Sequence, residues 1–301
     1  MSKKTILITG ATGFLGSHIL KKLDEENKYN IVALKRSFSD LKRIRGTKFT
    51  NVSFYDVDVS SLEDIFSKSK IDLIIHTATE YGRQGSSISK VIESNLLFPI
   101  KIIELAILNN TRCFINTDSY FNKENFTYNY LFDYSMSKKS LIRWLENLSS
   151  KIQIVNIVLE HLYGEEDNDV KFVETMIQRI AIKMEKSVDL THGHQRRDFI
   201  YISDAVDAYL KIVDYCFAND FRYKVFNVGT GIGVEIRDFV NLIKQLSDSP
   251  TVLNFGKILY RGDEIMESKA DISELKNIRF VAVFSIKNGI KRIIDYYRQR
   301  S

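Results

Sequence analysis

A chain of 301 residues, 44% hydrophobic and 27% charged, has the composition of a folded globular protein with a core of its own, which excludes a disordered or collagen-like polymer. Its 43 lysines and arginines against 38 acids leave a charge of +5, too small and too scattered for a nucleic-acid partner but suited to attracting a small polyanion. Cys113 and Cys216 form no Cys-x-x-Cys pair, no apolar run reaches membrane-spanning length, and the short basic start leads straight into a core strand, which together predict a reduced, cytoplasmic protein with no membrane segment.

An apolar run at 6–8 ends in Thr9 and then in Gly10, Gly13 and Gly16, predicting a buried strand that turns sharply into a helix over 14–26. Gly10 and Gly13 let the main chain turn tightly and approach a diphosphate, while Gly16 allows helix and strand to pack closely. The helix N-terminus, with Thr12, Phe14 and Leu15 in the same turn, offers N–H groups and the positive dipole end to a dinucleotide. A second strand over 29–34 ends in Lys35 and Arg36, where such folds meet the adenosine ribose. No acid lies between residues 28 and 38. The two cations would pair with a 2′-phosphate, which predicts NADP(H), with NAD as the alternative.

A third strand over 51–57 leads to Asp58 and Val59, placed to hydrogen-bond the adenine amino group and to pack on its ring. A fourth, over 71–75, runs into His76, Thr77, Ala78 and Thr79, where small side chains let the cofactor backbone lie close. His76 reads as a packed, hydrogen-bonded residue, and Tyr81 to Arg83 as a loop at the carboxyl end of the sheet, where ligands of open α/β sheets bind. A helix over 89–108 carries Asn95 in apolar surroundings; a buried amide needs partners, so Asn95 is expected to tie that helix to the strand-end loop beside the cofactor.

The fifth strand, 113–116, opens into Thr117, Asp118 and Ser119, and a polar loop over 122–133 leads to Tyr134-Ser135-Met136-Ser137-Lys138 at the start of a helix to about 148. Tyrosine and lysine four apart share one helical face. A phenol titrates near about 10, so the Lys138 charge one turn away is expected to lower the Tyr134 pKa and to hold a nicotinamide ribose. A strand-end hydroxyl would polarise a substrate carbonyl beside the tyrosine. Thr117 and Ser119 are both candidates, with Ser119 favoured by its place along the strand.

A sixth strand over 153–159 precedes a loop that leaves the sheet, and a helix is expected over 170–186. His192 and His194 lack a third ligand at metal spacing, so no metal is expected. After QRRDFIYISD (195–204) come a helix over 204–215, a seventh strand over 225–229, a helix over 236–246 and a final helix from 285. Pro99 and Pro250 mark no linker.

TGATGFLG, the His76 strand end, Asn95, YSMSK and RRDFIYISD follow one another over nearly the whole chain and resemble the extended short-chain dehydrogenase/reductase family, NAD(P)-dependent enzymes that modify nucleotide-activated sugars. The resemblance implies a Rossmann-like α/β fold, a doubly wound parallel sheet with a smaller C-terminal α/β substrate domain. The division would be 1–160 plus 205–232 for the cofactor and 161–204 plus 233–301 for the nucleotide sugar. It further implies Tyr134 and Lys138 as the catalytic pair, Arg197 and Arg261 as clamps on the diphosphate or ribose, and His161 near the sugar. Leu159 would lie with His161 along the cofactor, and Tyr81, Arg83 and Glu160 would join the substrate side. A homodimer through the helices around 89–108 and 134–148 is also implied.

Segments 78–84, 92–104, 159–164 and QRRDFIYI are similar to the group of CDP-abequose and CDP-paratose synthases, which reduce the 4-keto group of a CDP-3,6-dideoxyhexulose with NADPH. The expectation is therefore NADPH-dependent 4-ketoreduction of a deoxyhexose carried on CDP or dTDP, in the sugar biosynthesis of surface polysaccharide such as O-antigen lipopolysaccharide. Ser119 stands where the related 4,6-dehydratases carry glutamate, which disfavours dehydration. Two alternatives compete: an epimerase that retains NAD and returns the hydride to the same sugar, and a non-catalytic NADP(H)-binding sensor. The sensor has no need of the tyrosine, lysine and hydroxyl together.

Overall fold

Runs such as TILIT, NIVALK and LIIH are apolar on both faces, the pattern of strands covered by helices on both sides of a sheet. The structure, a computed structural model, describes residues 3–83, 85–123 and 129–300. The chain begins β1 (Thr5–Thr9), α1 (Phe14–Glu26), β2 (Asn30–Lys35), β3 (Val52–Asp56), α2 (Leu62–Lys68) and β4 (Leu73–His76). It continues with α3 (Ile88–Ile92), a π-helical turn (Glu93–Leu97), α4 (Phe98–Leu108), β5 (Cys113–Ser119), α5 (Phe132–Leu148) and β6 (Gln153–Leu159). Then come β7 (His161–Tyr163), α6 (Phe172–Met176), β8 (Ser187–Leu190), β9 (Arg196–Tyr201), α7 (Ile202–Ala218), β10 (Tyr223–Val228) and β11 (Gly233–Glu235). The chain closes with α8 (Ile236–Ser247), β12 (Val252–Phe255), β13 (Glu267–Ser268), α9 (Ser273–Asn277) and α10 (Ile286–Arg298). Among the described residues no helix is long and apolar enough to cross a membrane.

Two compact units emerge, Met1–Val158 with Ala208–Phe226, and Leu159–Asp207 with Asn227–Ser301. The first is built on a seven-stranded sheet in the order β10-β6-β5-β4-β1-β2-β3, Rossmann-like and doubly wound. From β5 to β3 every pairing is parallel. The strand order reverses between β1 and β4, so the crevice that receives ligands in such sheets opens at the carboxyl ends of these two strands. Leu7, Ile74, Phe114 and Ile154 from the strands pack with Ile102, Ile103, Leu141 and Leu145 from α4 and α5 in one buried cluster, which fixes α5 against the sheet.

The second unit sets β11 and β13 on either side of β9, with β7 also pairing with β9. A separate parallel pair joins β8 and β12. The Asp198 carboxylate is its node, accepting hydrogen bonds from Thr230 N (2.9 Å), Thr230 Oγ1 (2.6 Å), Gly231 N (2.8 Å) and Ala270 N (3.1 Å).

Three stretches depart from the sequence expectation. The helix foreseen over 89–108 is interrupted by the π turn, whose widened ring turns the polar Asn95 inward where an unbroken helix would have followed the apolar stripe. The helix foreseen over 170–186 is likewise a short α6 followed by a π turn over Ile177–Ile182. The third is β5, which runs on to Ser119, so Thr117, Asp118 and Ser119 belong to the strand and alternate across its faces. Residues 161–163, to which the sequence assigns no element, pair with β9 as a strand too short for its periodicity to show. Gln84 and residues 124–128 of the foreseen polar loop lie outside the described residues.

Candidate active site

Gly10 adopts φ +66°, and a Cβ placed on it would sit 2.7 Å from the Ala78 nitrogen. One on Gly16 would collide with the Gly10 carbonyl oxygen, so only glycine lets the turn close over the start of α1. Thr9 ties the two central strand ends together. Its carbonyl accepts from Thr77 Oγ1 (2.8 Å), and its hydroxyl meets Ala78 N (3.2 Å) and His76 Nδ1 (2.8 Å). Burial holds the His76 pKa well below its usual value, so this ring is neutral; it stacks on Phe114 with centroids 5.7 Å apart. α1 starts from Gly13, which has no side chain to cap it, with Phe14 and Leu15 buried in its first turn and Thr12 just before it. The turn suits a diphosphate: the start of α1 carries no side-chain cap and follows β1, where the strand order reverses.

At the end of β2 the two expected phosphate ligands separate. Lys35 is in register with Asp56 of β3 and forms an ion pair with it, so its charge is spent within the sheet. Arg36 instead lays its guanidinium 4.8 Å from the centre of the exposed Phe38 ring. Asp58, foreseen at the adenine, accepts from Ser37 N (2.8 Å) and Ser37 Oγ (2.6 Å), bonds that lower its pKa. Val59 is 75% exposed.

The tyrosine and lysine of α5 are both buried. The Ser119 hydroxyl lies beside the Tyr134 phenol, close enough to oppose the rise in its pKa, whereas the Thr117 hydroxyl meets the Tyr209 hydroxyl of α7 at 2.8 Å. Lys138 Nζ donates to the Thr117 carbonyl (2.8 Å). Tyr81 stacks on Tyr134 with centroids 4.9 Å apart, and the Arg83 guanidinium sits 5.4 Å from the Tyr81 ring centre. The expected lowering of the phenol's pKa is reversed. Burial first, then the neighbouring Tyr81 and Asp118, push Tyr134 well above the usual value for a phenol. Spacing along a helix reveals the charge of Lys138 but not the depth at which both groups are set. Burial also brings Lys138 down to about 8, against the opposing pull of Asp118.

Asn95 is fully buried and fully bonded. Its Oδ1 accepts from Glu80 N (2.7 Å) and Thr79 Oγ1 (3.2 Å), and its Nδ2 donates to Glu80 O (2.8 Å) and Ser137 Oγ (3.0 Å). The foreseen tie to the strand-end loop is present and reaches α5 as well, which makes Asn95 a positioning residue and leaves its amide nothing to offer a cofactor. Sequence reasoning missed Tyr209 and a second buried chain. Asn116 Nδ2 donates to Asn156 Oδ1 (2.7 Å), and Asp118 accepts from Asn156 Nδ2 (3.2 Å) and Asn122 Nδ2 (2.7 Å). The available signal was polar residues inside otherwise apolar strand runs, CFINTDS and QIVNIVL, which must find one another.

In the second unit, two expected substrate ligands are already engaged. Arg197 is buried and pairs with Glu264 at 2.6 Å, so it presents a neutralised pair in place of a bare cation. Glu160 is buried and accepts from Ser268 Oγ (2.8 Å), a structural bond within the unit. Leu159 is half-buried and Arg261 is exposed. His161 packs edge-on against Phe199 (5.5 Å), and desolvation, aided by the Arg197 charge, keeps its pKa well below the usual value.

Residues 6–229 match the sequence model of the NAD dependent epimerase/dehydratase family. The chain is 37% identical to a CDP-abequose synthase of Salmonella muenchen over 301 residues, covering 97% of both chains. It is 33% identical to the CDP-abequose synthase of Salmonella typhimurium, covering 97% of this chain and 98% of the other. Its fold is similar to that of a Bacillus cereus UDP-glucuronic acid 4-epimerase solved with UDP-glucuronic acid and NAD: TM-score 0.82 at 20% identity, over 99% of this chain and all of that one.

Proposed function

The chain belongs to the NAD-dependent epimerase/dehydratase family, and from that premise we propose that it is an NADPH-dependent reductase of the 4-keto group of a nucleotide-linked 4-keto-deoxyhexose, carried on CDP or dTDP. The observation that carries this reading is the contact between the Ser119 hydroxyl and a buried, protonated Tyr134 phenol, with Lys138 one turn further along α5. A reductase needs its acid protonated before the reaction, and burial supplies that state.

When bound, the reduced nicotinamide supplies the hydride that C4 requires. Tyr134 gives its proton to the carbonyl oxygen, and Ser119 donates a hydrogen bond to the same oxygen as charge grows on it. Lys138 orients the nicotinamide ribose, and its ammonium stabilises the phenolate that Tyr134 becomes. The uncapped start of α1 holds the diphosphate, and Arg36 reads the 2′-phosphate. The first unit is thus the cofactor side and the second the nucleotide-sugar side, where Arg261 and His161 serve the sugar nucleotide and Arg197 serves through its pair with Glu264. Similarity to CDP-abequose synthases over nearly the full chain supports a place in deoxysugar biosynthesis for surface polysaccharide, in the cytoplasm.

An epimerase reading keeps support from the likeness to nucleotide-sugar epimerases. Cofactor stoichiometry separates the two. With a panel of CDP- and dTDP-linked 4-keto sugars, the reductase consumes one NADPH per sugar, and Tyr134→Phe loses about a hundredfold to ten-thousandfold in turnover while still binding NADPH. Sugar conversion without net consumption of NADPH would establish the epimerase; full turnover by Tyr134→Phe would remove the phenol from the mechanism.

A further inference from the structure

Thr117 and Ser119 are two apart on β5 and so project from the same face of the strand, yet they are claimed by different helices. Ser119 meets Tyr134 of α5, and Thr117 meets Tyr209 of α7. The Thr117 residue has a second bond, at its main chain, where the carbonyl takes the Lys138 ammonium at 2.8 Å. Tyr209 is fully buried, and a phenylalanine would fill the same space; what its hydroxyl adds is this one hydrogen bond.

Resting on the reductase reading, we propose that Tyr209 is a positioning residue: it holds the Thr117 side chain, thereby fixes the carbonyl that seats Lys138, and leaves Ser119 as the strand-end hydroxyl that faces the substrate. Thr117 is only half-buried, so without Tyr209 its hydroxyl turns to seek another partner and its peptide group loosens. The next residue, Asp118, is anchored on the opposite face of the strand by Asn156 and Asn122. The segment is therefore braced from both sides, and Tyr209 is the brace on the side that bears the chemistry.

The test compares Tyr209→Phe, Thr117→Val, Thr117→Ser and the Tyr209→Phe/Thr117→Val double variant with the wild type, measuring keto-sugar reduction, NADPH binding by fluorescence, and melting temperature. Loss of one buried hydrogen bond predicts a fall in kcat of about threefold to tenfold for Tyr209→Phe and Thr117→Val alike. The keto-sugar KM should stay within about twofold, because no substrate contact is lost. Thr117→Ser should restore wild-type kcat, and the double variant should be no worse than Thr117→Val, since both substitutions break the same bond. Wild-type kcat in Tyr209→Phe overturns the proposal. So does a double variant in which the two effects multiply, which would place the Thr117 hydroxyl on the substrate. If Tyr209→Phe does not fold, Thr117→Val, which keeps the side chain's shape, decides by its unchanged or lowered kcat. If the wild type reduces no keto sugar, the reductase reading fails by itself. NADPH affinity then still judges the brace: the two single variants should weaken it by about the same factor, and unchanged affinity in both overturns the proposal.

Discussion

Tyr134 and Lys138 shift each other less than burial shifts both. The phenol keeps its proton because an isolated phenolate would be stranded in a site walled by Tyr81, Tyr120 and Asp118, and the ammonium is destabilised for the same reason. Lys138 is charged below about 8 and loses its charge above it. The alkaline limb of a kcat/KM profile, which reports the free enzyme, should therefore fall near pH 8, well below the lysine's ordinary range. Asp118→Asn removes the carboxylate that opposes this lowering, so the limb should move to lower pH; a limb that stays in place would detach Asp118 from the ammonium. At the cofactor's far end, Lys35 and Arg36 are neighbours with different fates. Arg36→Ala should weaken NADPH by about tenfold or more with NADH nearly unaffected, whereas Lys35→Ala should change the preference between the two little. Fluorescence titration with both coenzymes reads the difference.

At the scale of elements, the π turn between α3 and α4 is what brings a polar residue to a place that an apolar stripe would otherwise occupy. Asn95 uses both ends of its amide to hold the loop from Thr79 to Glu80 and the α5 residue Ser137, which itself bonds the Tyr134 carbonyl at 2.8 Å. Asn95→Ala strips partners from buried main-chain groups at once, and should cost about 2–4 kcal/mol of unfolding free energy. Because Tyr81 rides on that loop and stacks on Tyr134, kcat should fall together with the melting temperature. A variant that loses stability while keeping full kcat would show that the tie serves the fold and not the phenol.

For the molecule as a whole, the described surface of α3, the π turn, α4 and α5 exposes Ile88, Ile92, Leu97, Leu108, Met136 and Trp144. We propose that these apolar side chains pack against a second copy of the chain. A homodimer across this face should elute at twice the chain's own mass, and Trp144→Glu combined with Leu108→Glu should return it to the monomer; light scattering on the eluting peak gives the answer. Within the second unit, the buried Asp198 carboxylate ties β9 to the turn after β10 and to the segment after β13. Asp198→Asn turns two acceptors into one and should lower the melting temperature far more than an exposed change such as Lys257→Ala.

The sequence by itself determined the alternation of strand and helix, the sharp glycine turn after β1 and the α5 face shared by Tyr134 and Lys138, because these follow from neighbours a few residues apart whose backbone demands are local. α1 and α5 lie where periodicity placed them. Tertiary structure alone decided that Lys35 is consumed by Asp56, that Ser119 and not Thr117 meets the phenol, that Arg197 is already paired with Glu264, and that the Tyr134 pKa rises. Each of these depends on a partner tens of residues away in the chain and on how much water the packed helices leave behind, and neither pairing across a sheet nor depth of burial is written in spacing along one strand of sequence.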